Sequence, residues 1–446
     1  MRRTQLVLDH RCALRVTMLL AGAVLLSGCL ADGVPFPTRN AVDPATAPLA
    51  AGSVREPGTD AQSSALIADL AARRSILPAT GPYAEVAQAV LDHSAGAAQA
   101  ELRVARLTAQ AKSKNWLPQI GPSVSLSSLG DLVTQLVMEQ VIFDNGAKKA
   151  ERDFAAADVE VAAVGLSQEM NDTVHDGLKF YVSGLKAEAQ AEVASASARQ
   201  LSEFERILRE RAKGGLSDLS EVGFVAQKRH EAEAEAQADR QAAQAARAQL
   251  ATMTDRPLDH LAGLSSVALP PSAPEPLAVK RAEGEAARAQ AEAQLARAGH
   301  LPGLGLRAGA GEGKPTLGVN MGMTQMLGFG RGDTLAAIDA GAEAGQARVA
   351  KARQDGARTL SALQARLADQ RAREARDAAL VEEAESGLEL FKRQYKMGRR
   401  RLMELVGNYE SYAAMKRAQV GLRYEISLTE LEIARVQGLL VDGSRI

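Results

Sequence analysis

Two short motifs in the sequence have residue types that elsewhere bind phosphate or metal, and each lacks a residue that the chemistry requires. The stretch G-E-G-K-P-T (311–316) resembles a phosphate-binding loop. However, Pro315 stands where Ser or Thr would hold Mg²⁺, and Ala308 stands where the first glycine belongs. His230-Glu231 begins like a metalloprotease helix, but Ala234 occupies the place of the second histidine. Neither motif predicts catalysis.

The other polar residues do not combine into a catalytic site either. Arg331-Gly332-Asp333 lies at a predicted strand-to-helix junction, where a turn and a helix N-cap explain it. The chain has 6 His and 2 Cys in 446 residues, and no nucleophile, base and orienting acid can be grouped. We therefore expect neither an enzyme nor a bound cofactor or metal. The formal net charge of -1 gives no sign of nucleic-acid binding.

Cys29 is the residue for which the sequence predicts a covalent modification. A basic start is followed by an apolar run, Val16–Leu26, and then by Leu-Ser-Gly-Cys. This order is typical of a secretory signal (1–28) that ends in a lipobox, with Cys29 acylated as the first mature residue. Leu30 in the next position favours sorting to the outer membrane. An ordinary signal peptide cleaved elsewhere is the alternative. Residues 29–80, rich in Pro, Gly, Ala and Ser, are predicted to be a lipid-anchored tether.

The composition indicates long helices. Hydrophobic residues make up 46% of the chain but aromatic residues only 3%, and much of the apolar content is Ala. Helical spacing without proline predicts helices over the following ranges: 83–115, 146–213, 217–253, 277–298, 334–397 and 402–440.

The sequence contains an internal repeat of one structural unit. Pro118 and Pro302 both follow Leu and are 184 positions apart (302 minus 118), and Gly215 and Gly398 are separated by almost the same interval. We therefore predict two structural repeats, 81–256 and 277–446, joined by a linker at 257–276. Each repeat contains a helix, a strand pair, a long helix, a tip and a return helix.

Beside each Leu-Pro, apolar residues alternate with small or polar ones. This alternation is typical of strands in a membrane β-barrel, which face lipid on one side and a water-filled lumen on the other. The strand pairs are predicted at 119–143 and 303–327. Three aromatic residues stand where strands meet helices, as an interfacial belt would require: Trp116, Phe143 and Phe329. A four-stranded soluble sheet is the alternative. Because small barrels need about eight strands, four cannot close by themselves, and several copies must share one barrel.

The order of these features resembles the TolC family of outer-membrane efflux and secretion ducts. The resemblance rests on the Leu-Pro before each strand pair, on V-I-F-D-N-G (141–146), and on two tips, A-K-G-G-L-S-D-L-S-E-V (212–222) and Y-K-M-G-R-R-R-L-M-E-L-V (395–406). It implies a mainly α protein with membrane β: a long α-helical barrel plus four β-strands per protomer, which contribute to a 12-stranded β-barrel in a homotrimer.

The resemblance also implies partners and a location. The protein would lie in the outer membrane, contact its lipid, and extend through the periplasm towards an adaptor protein and an inner-membrane pump of the RND or ABC type. It would serve as a passive channel in a tripartite efflux pump or a type I secretion system. A lipid-tethered periplasmic coiled-coil scaffold without a pore is the alternative.

Four residues match the family's closed gate at the periplasmic tip. They are Glu221, Tyr395, Arg400 and Glu404. In that pattern Arg400 would bridge to Glu221 of a neighbouring helix, Tyr395 would add a hydrogen bond, and the Glu404 carboxylates would ring the pore axis. Gly407 departs from the family, because some members have a second acid there, and this leaves cation selectivity open. Ordinary solvated helix ends are the alternative.

The tips themselves are expected to contact the adaptor or the pump. Gly215 and Gly398 form the turns, and Arg399 and Arg401 flank Arg400 in the second tip.

Overall fold

A computed structural model describes residues 64–94, 96–126, 132–272, 274–311, 315–323, 325 and 329–446. Cys29, the signal and the first part of the predicted tether lie outside these residues. The elements are α1 (Ala65–Ala72), α2 (Pro82–His93), α3 (Ala97–Ser113), β1 (Gln119–Leu126), β2 (Leu132–Phe143), α4 (Ala147–Lys213), α5 (Leu219–Ala251), α6 (Leu277–Gly299), β3 (Gly303–Gly311), β4 (Thr316–Gly322), α7 (Arg331–Lys396) and α8 (Leu402–Val436), with a 3-10 helix at Gly443–Arg445.

The duplicated order of elements is as the sequence predicts, with one difference inside the first repeat. The helix expected over 83–115 is divided in two, because α2 ends at His93 and α3 begins at Ala97. Gly96 has a φ of 118°, a left-handed conformation that glycine adopts without strain and that ends helical continuity. Arg331-Gly332-Asp333, expected as a turn and cap, lies in the first turn of α7.

The V-I-F-D-N-G run makes the sharp turn from β2 into α4. Asn145 and Gly146 both have positive φ values, 55° and 87°. The Asp144 carboxylate accepts hydrogen bonds from the backbone N–H groups of Gly146 (3.1 Å) and Lys148 (2.6 Å) and so caps the helix. Asn145 Nδ2 donates to the Pro302 carbonyl oxygen at 2.9 Å, which ties this turn to the Leu-Pro of the second repeat.

The four strands form one antiparallel sheet in the order β1-β2-β3-β4. The pairing of β2 with β3 joins the two repeats, with Met138 opposite Ala308 and Glu139 opposite Arg307. β1 and β4 therefore stand at the two edges of the sheet, and their outer backbone groups have no partner strand among the described residues.

The predicted division of the strands into two faces is confirmed by the register. Ile120 pairs with Met138, Ala308 with Leu317 and Leu306 with Val319, so these apolar residues share one face. That face is open in the single chain: Ile120 is 65% exposed, Leu317 74% and Met321 77%. Gly, Ser, Thr, Asn and Gln residues lie on the opposite face, where Arg307 and Glu139 form an ion pair at 3.1 Å.

α4 is the central helix of the chain. It packs against α2, α3, α5, α6 and α8, whereas α7 packs against α6 and α8. With 67 residues α4 is about 100 Å long. Among the described residues, none of the helices combines the length and the apolarity needed to span a bilayer.

The main hydrophobic core surrounds the middle of α4. Leu178, Val174 and Val182 of α4 are fully buried there, together with Tyr83 of α2 and Leu431 of α8. The Tyr83 hydroxyl shares a hydrogen bond of 2.6 Å with Ser427, and burial raises the pKa of Tyr83 to about 12. This core fixes α2, α4 and α8 relative to one another.

The last part of the predicted tether is folded. Residues 64–80 pack against α4 and the C-terminal segment, so a free tether could extend only to about residue 63. Arg73 is 5% exposed and donates to the carbonyl oxygens of Gln437 (2.6 Å) and Glu275 (3.1 Å). Its ion pair with Asp69 (2.9 Å) compensates for burying the charge.

Candidate functional site at the helix tips

The two tips have the same backbone structure. Gly215 and Gly398 have φ values of 72° and 73°. In the first tip, Leu216 N–H donates to the Arg211 carbonyl at 2.8 Å and Gly215 N–H to Ala212 at 3.0 Å. In the second, Arg399 and Gly398 make the equivalent bonds to Gln394 (3.0 Å) and Tyr395 (2.9 Å). Both long helices therefore end at the predicted glycines, and the structure shows that each end is a left-handed glycine C-cap.

The return helices begin differently. Asp218 caps α5, because its carboxylate accepts the Ser220 N–H at 3.1 Å, and this backbone hydrogen bond lowers the pKa of Asp218. The equivalent position before α8 is Arg401, which has no side-chain cap. The second tip therefore places a cation where the first places an anion.

A shared apolar cluster, the tip core, holds the two tips together. It contains buried residues of all four helices: Leu201, Phe204 and Leu208 of α4, Val222 and Val225 of α5, Leu388 of α7, and Leu402, Leu405, Val406 and Tyr409 of α8. The rings of Phe204 and Tyr409 meet edge to face at 5.7 Å. Packing through one core makes the two tips a single unit.

Glu205 is a charged residue beside this core. Its side chain is 8% exposed, and it pairs with Arg229 of α5 at 2.8 Å and with Arg209 of its own helix. The hydrogen bond from Arg229 is the main cause that lowers the pKa of Glu205. The ionised pair ties α4 to α5 just behind the first tip.

The predicted gate residue Arg400 is held by groups of its own chain. Its Nη1 lies 3.1 Å from Glu404, its Nε donates to Gln394 at 3.1 Å, and its guanidinium lies 5.0 Å from the Phe391 ring centre. Within the chain, Arg400 in the turn before α8 therefore pairs with Glu404 in the first turn of that helix and not with Glu221. A bridge to Glu221 of a second copy stays a prediction.

Tyr395 and Glu404, the other predicted gate residues of the second tip, have these surroundings within one chain, and their roles in an assembled gate stay predictions. Tyr395 is partly buried against the tip core, and within the described ranges its hydroxyl donates no hydrogen bond. Glu404 is half exposed, but its carboxylate is paired with Arg400 rather than free. Beside Gly407 a Cβ would meet open space, so the missing second acid leaves a gap on this face of α8.

Sequence reasoning missed three exposed apolar side chains at the tips. Leu216 and Leu219 of the first tip are 72% and 75% exposed, and Met397 of the second tip is 61% exposed. The sequence did indicate their exposure, because large apolar residues next to a glycine turn lie outside the helical pattern that would bury them. Phe391 and Gln394, which hold Arg400, carried no such signal.

The strand end has its own exposed apolar groups. Trp116, Phe143 and Phe329 are 60%, 57% and 113% exposed. They lie where the strands meet the helices, as the predicted interfacial belt requires. No group of three His, Cys, Asp or Glu side chains gathers as a metal site among the residues that the structure describes.

Comparison with known proteins gives matches at the level of structure. No family model matches the sequence, and no curated protein matches it. The outer membrane protein VceC from Vibrio cholerae superposes with a TM-score of 0.69 at 17% identity, over 80% of this chain and 96% of that one. The chain has the fold of the TolC-type outer-membrane channels.

Two other solved structures agree with that assignment. A membrane protein from Pseudomonas aeruginosa matches with a TM-score of 0.70 at 15% identity, over 82% of this chain and 92% of that one. The MtrE outer membrane channel of Neisseria gonorrhoeae, solved in its open state, matches with a TM-score of 0.62 at 14% identity, over 82% and 91%. The resemblance to the TolC family drawn from the sequence is therefore confirmed for the fold, including the helical body with a small sheet.

Proposed function

We propose that this chain is the outer-membrane channel component of a tripartite efflux pump or a type I secretion system, and that it acts as a passive conduit. The main support is the four-stranded sheet, which has an exposed apolar face and two edges without a partner strand in the part of the chain that the structure describes. A soluble scaffold would have to hide both features, whereas a membrane barrel shared between copies uses both.

The unpaired edges support a homotrimer. β1 of one protomer would pair with β4 of the next, and three copies of the four-stranded sheet would close a 12-stranded barrel. The apolar face would contact outer-membrane lipid, and the polar face with Arg307 and Glu139 would line the lumen.

The helical body supports a periplasmic extension. About 100 Å of α4 and α7 separates the sheet from the tips. We propose that the tips, including Gly215, Gly398, Arg399 and Arg401, contact a periplasmic adaptor and an inner-membrane pump of the RND or ABC type. Acylation of Cys29 would anchor the mature chain to the same outer membrane.

Conductance in planar lipid bilayers tests the channel. The purified protein should form trimers in detergent and discrete ion channels in the bilayer. Val319→Arg places a charge on the apolar face, where it costs about 2–4 kcal/mol at the bilayer midplane and should prevent insertion. Asn320→Arg, on the opposite face of the same strand, is the matched control and should insert. A monomer without conductance would overturn the proposal.

The lipid anchor is tested separately. Cells fed labelled palmitate should label the wild-type protein and leave Cys29→Ala unlabelled. Label retained on Cys29→Ala would contradict acylation at that residue.

For the gate, we propose that Arg400 also reaches Glu221 of a neighbouring protomer in the closed state. Arg400→Ala and Glu221→Ala should then each raise single-channel conductance, while Arg366→Ala on the exposed side of α7 should not. Unchanged conductance in both gate variants would remove this arrangement. Because Glu404 is paired with Arg400 and Gly407 supplies no second acid, the selectivity of the wild-type pore for cations should be weak.

A further inference from the structure

The tips carry apolar side chains that remain exposed among the described residues. Leu216, Leu219 and Met397 are each more than 60% exposed. The tip core joins the two turns into one unit, so the three side chains stand at the same end of the molecule. Single exposed apolar residues are common, but three on adjacent rigid turns form a surface on which a partner can bury area.

The helix ends and turns that carry these apolar side chains also carry cations without an ion-pair partner among the described residues. Lys213, Lys392 and Arg400 each pair with a carboxylate of their own chain. Other exposed cations near the tips form no ion pair within 4 Å in the described part of the chain: Arg211, Arg393, Lys396, Arg399 and Arg401. Intramolecular pairing therefore leaves the tip with a positive excess, and most of it lies on the second tip.

We propose that this surface binds a protein segment with apolar side chains bordered by Asp and Glu. This inference rests on the proposed function, and it names the chemistry of the partner that meets the tips. The apolar groups would supply the buried contact, and the cations would select and orient an acidic border. Glycine C-caps hold both turns in one conformation, so little ordering would be needed on this side of the contact.

The charge pattern favours a protein over an anionic lipid surface. Asp218 is exposed and Glu221 is half-buried beside the cations of the first tip, and both would be repelled by a uniformly negative membrane. A protein segment can place its own charges to match a surface of mixed sign. The proposal therefore commits to a protein partner.

Two synthetic helical hairpins test the chemistry. Both carry the same leucines at the turn and differ only in whether the flanking residues are Glu or Lys. Fluorescence anisotropy with the detergent-purified trimer should show that the Glu hairpin binds about tenfold more tightly or better, with an affinity that falls as salt rises. Equal affinity for both hairpins would overturn the proposal.

Charge reversal at the second tip sharpens the test. Arg399→Glu combined with Arg401→Glu should reverse the preference, so that the Lys hairpin binds better. Arg348→Glu combined with Arg366→Glu introduces the same charge change on exposed positions of α7 far from the tip, and should keep the preference for Glu. A preference that both double variants alter equally would show a general charge effect and would contradict a site at the tip.

Two further measurements distinguish a failure of this inference from a failure of the proposed function. Vesicles of phosphatidylglycerol that bind the tip as tightly as the Glu hairpin would assign it to lipid and overturn the protein partner. The same preparation is also assayed for conductance. If the protein forms channels but binds both hairpins equally well, this inference is wrong and the proposed function is unaffected. If it prefers the Glu hairpin but forms no channels, the proposed function is wrong and the preference of the tip for an acidic partner remains.

Discussion

α4 and α7 occupy the same place in the two repeats, and their burial differs widely. They have 67 and 66 residues, each follows a strand pair, and each ends in the same glycine C-cap. Yet 24 residues of α4 are buried and only 7 of α7. The two helices therefore share their backbone geometry but differ in packing: α4 is the core of the single chain, whereas the described residues leave a long side of α7 uncovered.

The uncovered side of α7 matches the unpaired edge of the sheet. β4 leads into α7, and β1 follows α3, so each sheet edge continues into a helix at the border of the helical layer. Under the proposed trimer, α7 of one protomer would lie beside α3 and α5 of the next. The difference between α4 and α7 would then reflect which neighbours belong to the same chain and which to another copy.

The largest expected effect on stability comes from truncating one leucine in α4 and one in α7, which tests the difference in burial between the two helices. Leu178→Ala removes a fully buried side chain of α4 and should lower the free energy of unfolding by about 2–5 kcal/mol. Leu380→Ala on α7, where the side chain is 52% exposed, should change it by about 0.5 kcal/mol or less in the isolated chain.

Denaturant unfolding in detergent, followed by circular dichroism, measures both variants. A loss for Leu380→Ala that is larger in concentrated protein and shrinks as the protein is diluted would show that a second copy covers this part of α7. If Leu178→Ala and Leu380→Ala lose the same free energy of unfolding at every protein concentration, the difference in burial between α4 and α7 is contradicted.

Glycine-to-alanine changes in the two helices should have opposite signs. At Gly177 of α4 an added Cβ would lie 2.7 Å from Val90 Cγ2, so α2 must shift at a cost of about 1–3 kcal/mol. At Gly387 of α7 it would meet nothing within 4 Å, and the higher helix propensity of alanine should stabilise the fold by up to about 1 kcal/mol. Thermal unfolding gives both signs. A destabilised Gly387→Ala trimer would reveal a close neighbour on that face.

The two tips, in contrast, should respond alike. Gly215→Ala and Gly398→Ala each force a non-glycine residue into a left-handed conformation, at a cost of about 1–2 kcal/mol. Asparagine tolerates this conformation better, so the matched Gly→Asn variants should lose less. If the two Gly→Ala variants differ clearly in the free energy of unfolding, the two glycine C-caps do not contribute equally to stability.

The smallest expected effect concerns how α8 is attached to α4. His175 and Arg435 donate hydrogen bonds to Glu432 and hold the pKa of that carboxyl far below its ordinary value of 4.5. A lowered pKa means that this pairing stabilises the fold above about pH 4.5, and that the contribution fades as the pH falls below that value. At neutral pH, Glu432→Gln should cost about 1 kcal/mol or less, since the group is partly exposed.

Unfolding of Glu432→Gln across pH 3 to 7 checks this sign: the deficit relative to wild type should shrink towards acid pH. The corresponding contact between α7 and α8 is one pair, Arg371 with Glu430 at 2.6 Å, so Arg371→Ala is a suitable comparison. A deficit that is constant with pH would mean that packing, and not charge, explains the effect of Glu432→Gln.

Local features of this protein were determined by the sequence alone. A two-residue alternation is enough to set the faces of a strand, and glycine at the end of a long helical pattern is enough to predict that the helix ends there. For the same reason the duplicated order of elements and both tip turns could be predicted from Pro118, Gly215 and their counterparts. Each of these depends on a short window of chain and on the conformational limits of single residues.

Only the tertiary structure decided which of several equivalent partners each group contacts. It paired β2 with β3, linked Asn145 to Pro302, and paired Arg400 with Glu404 within the chain. It also packed residues 64–80 into the body and buried α4 while leaving α7 open. The physical reason is that charges and apolar faces attract any suitable partner, so the choice depends on which distant segments the folded backbone brings within a few ångströms.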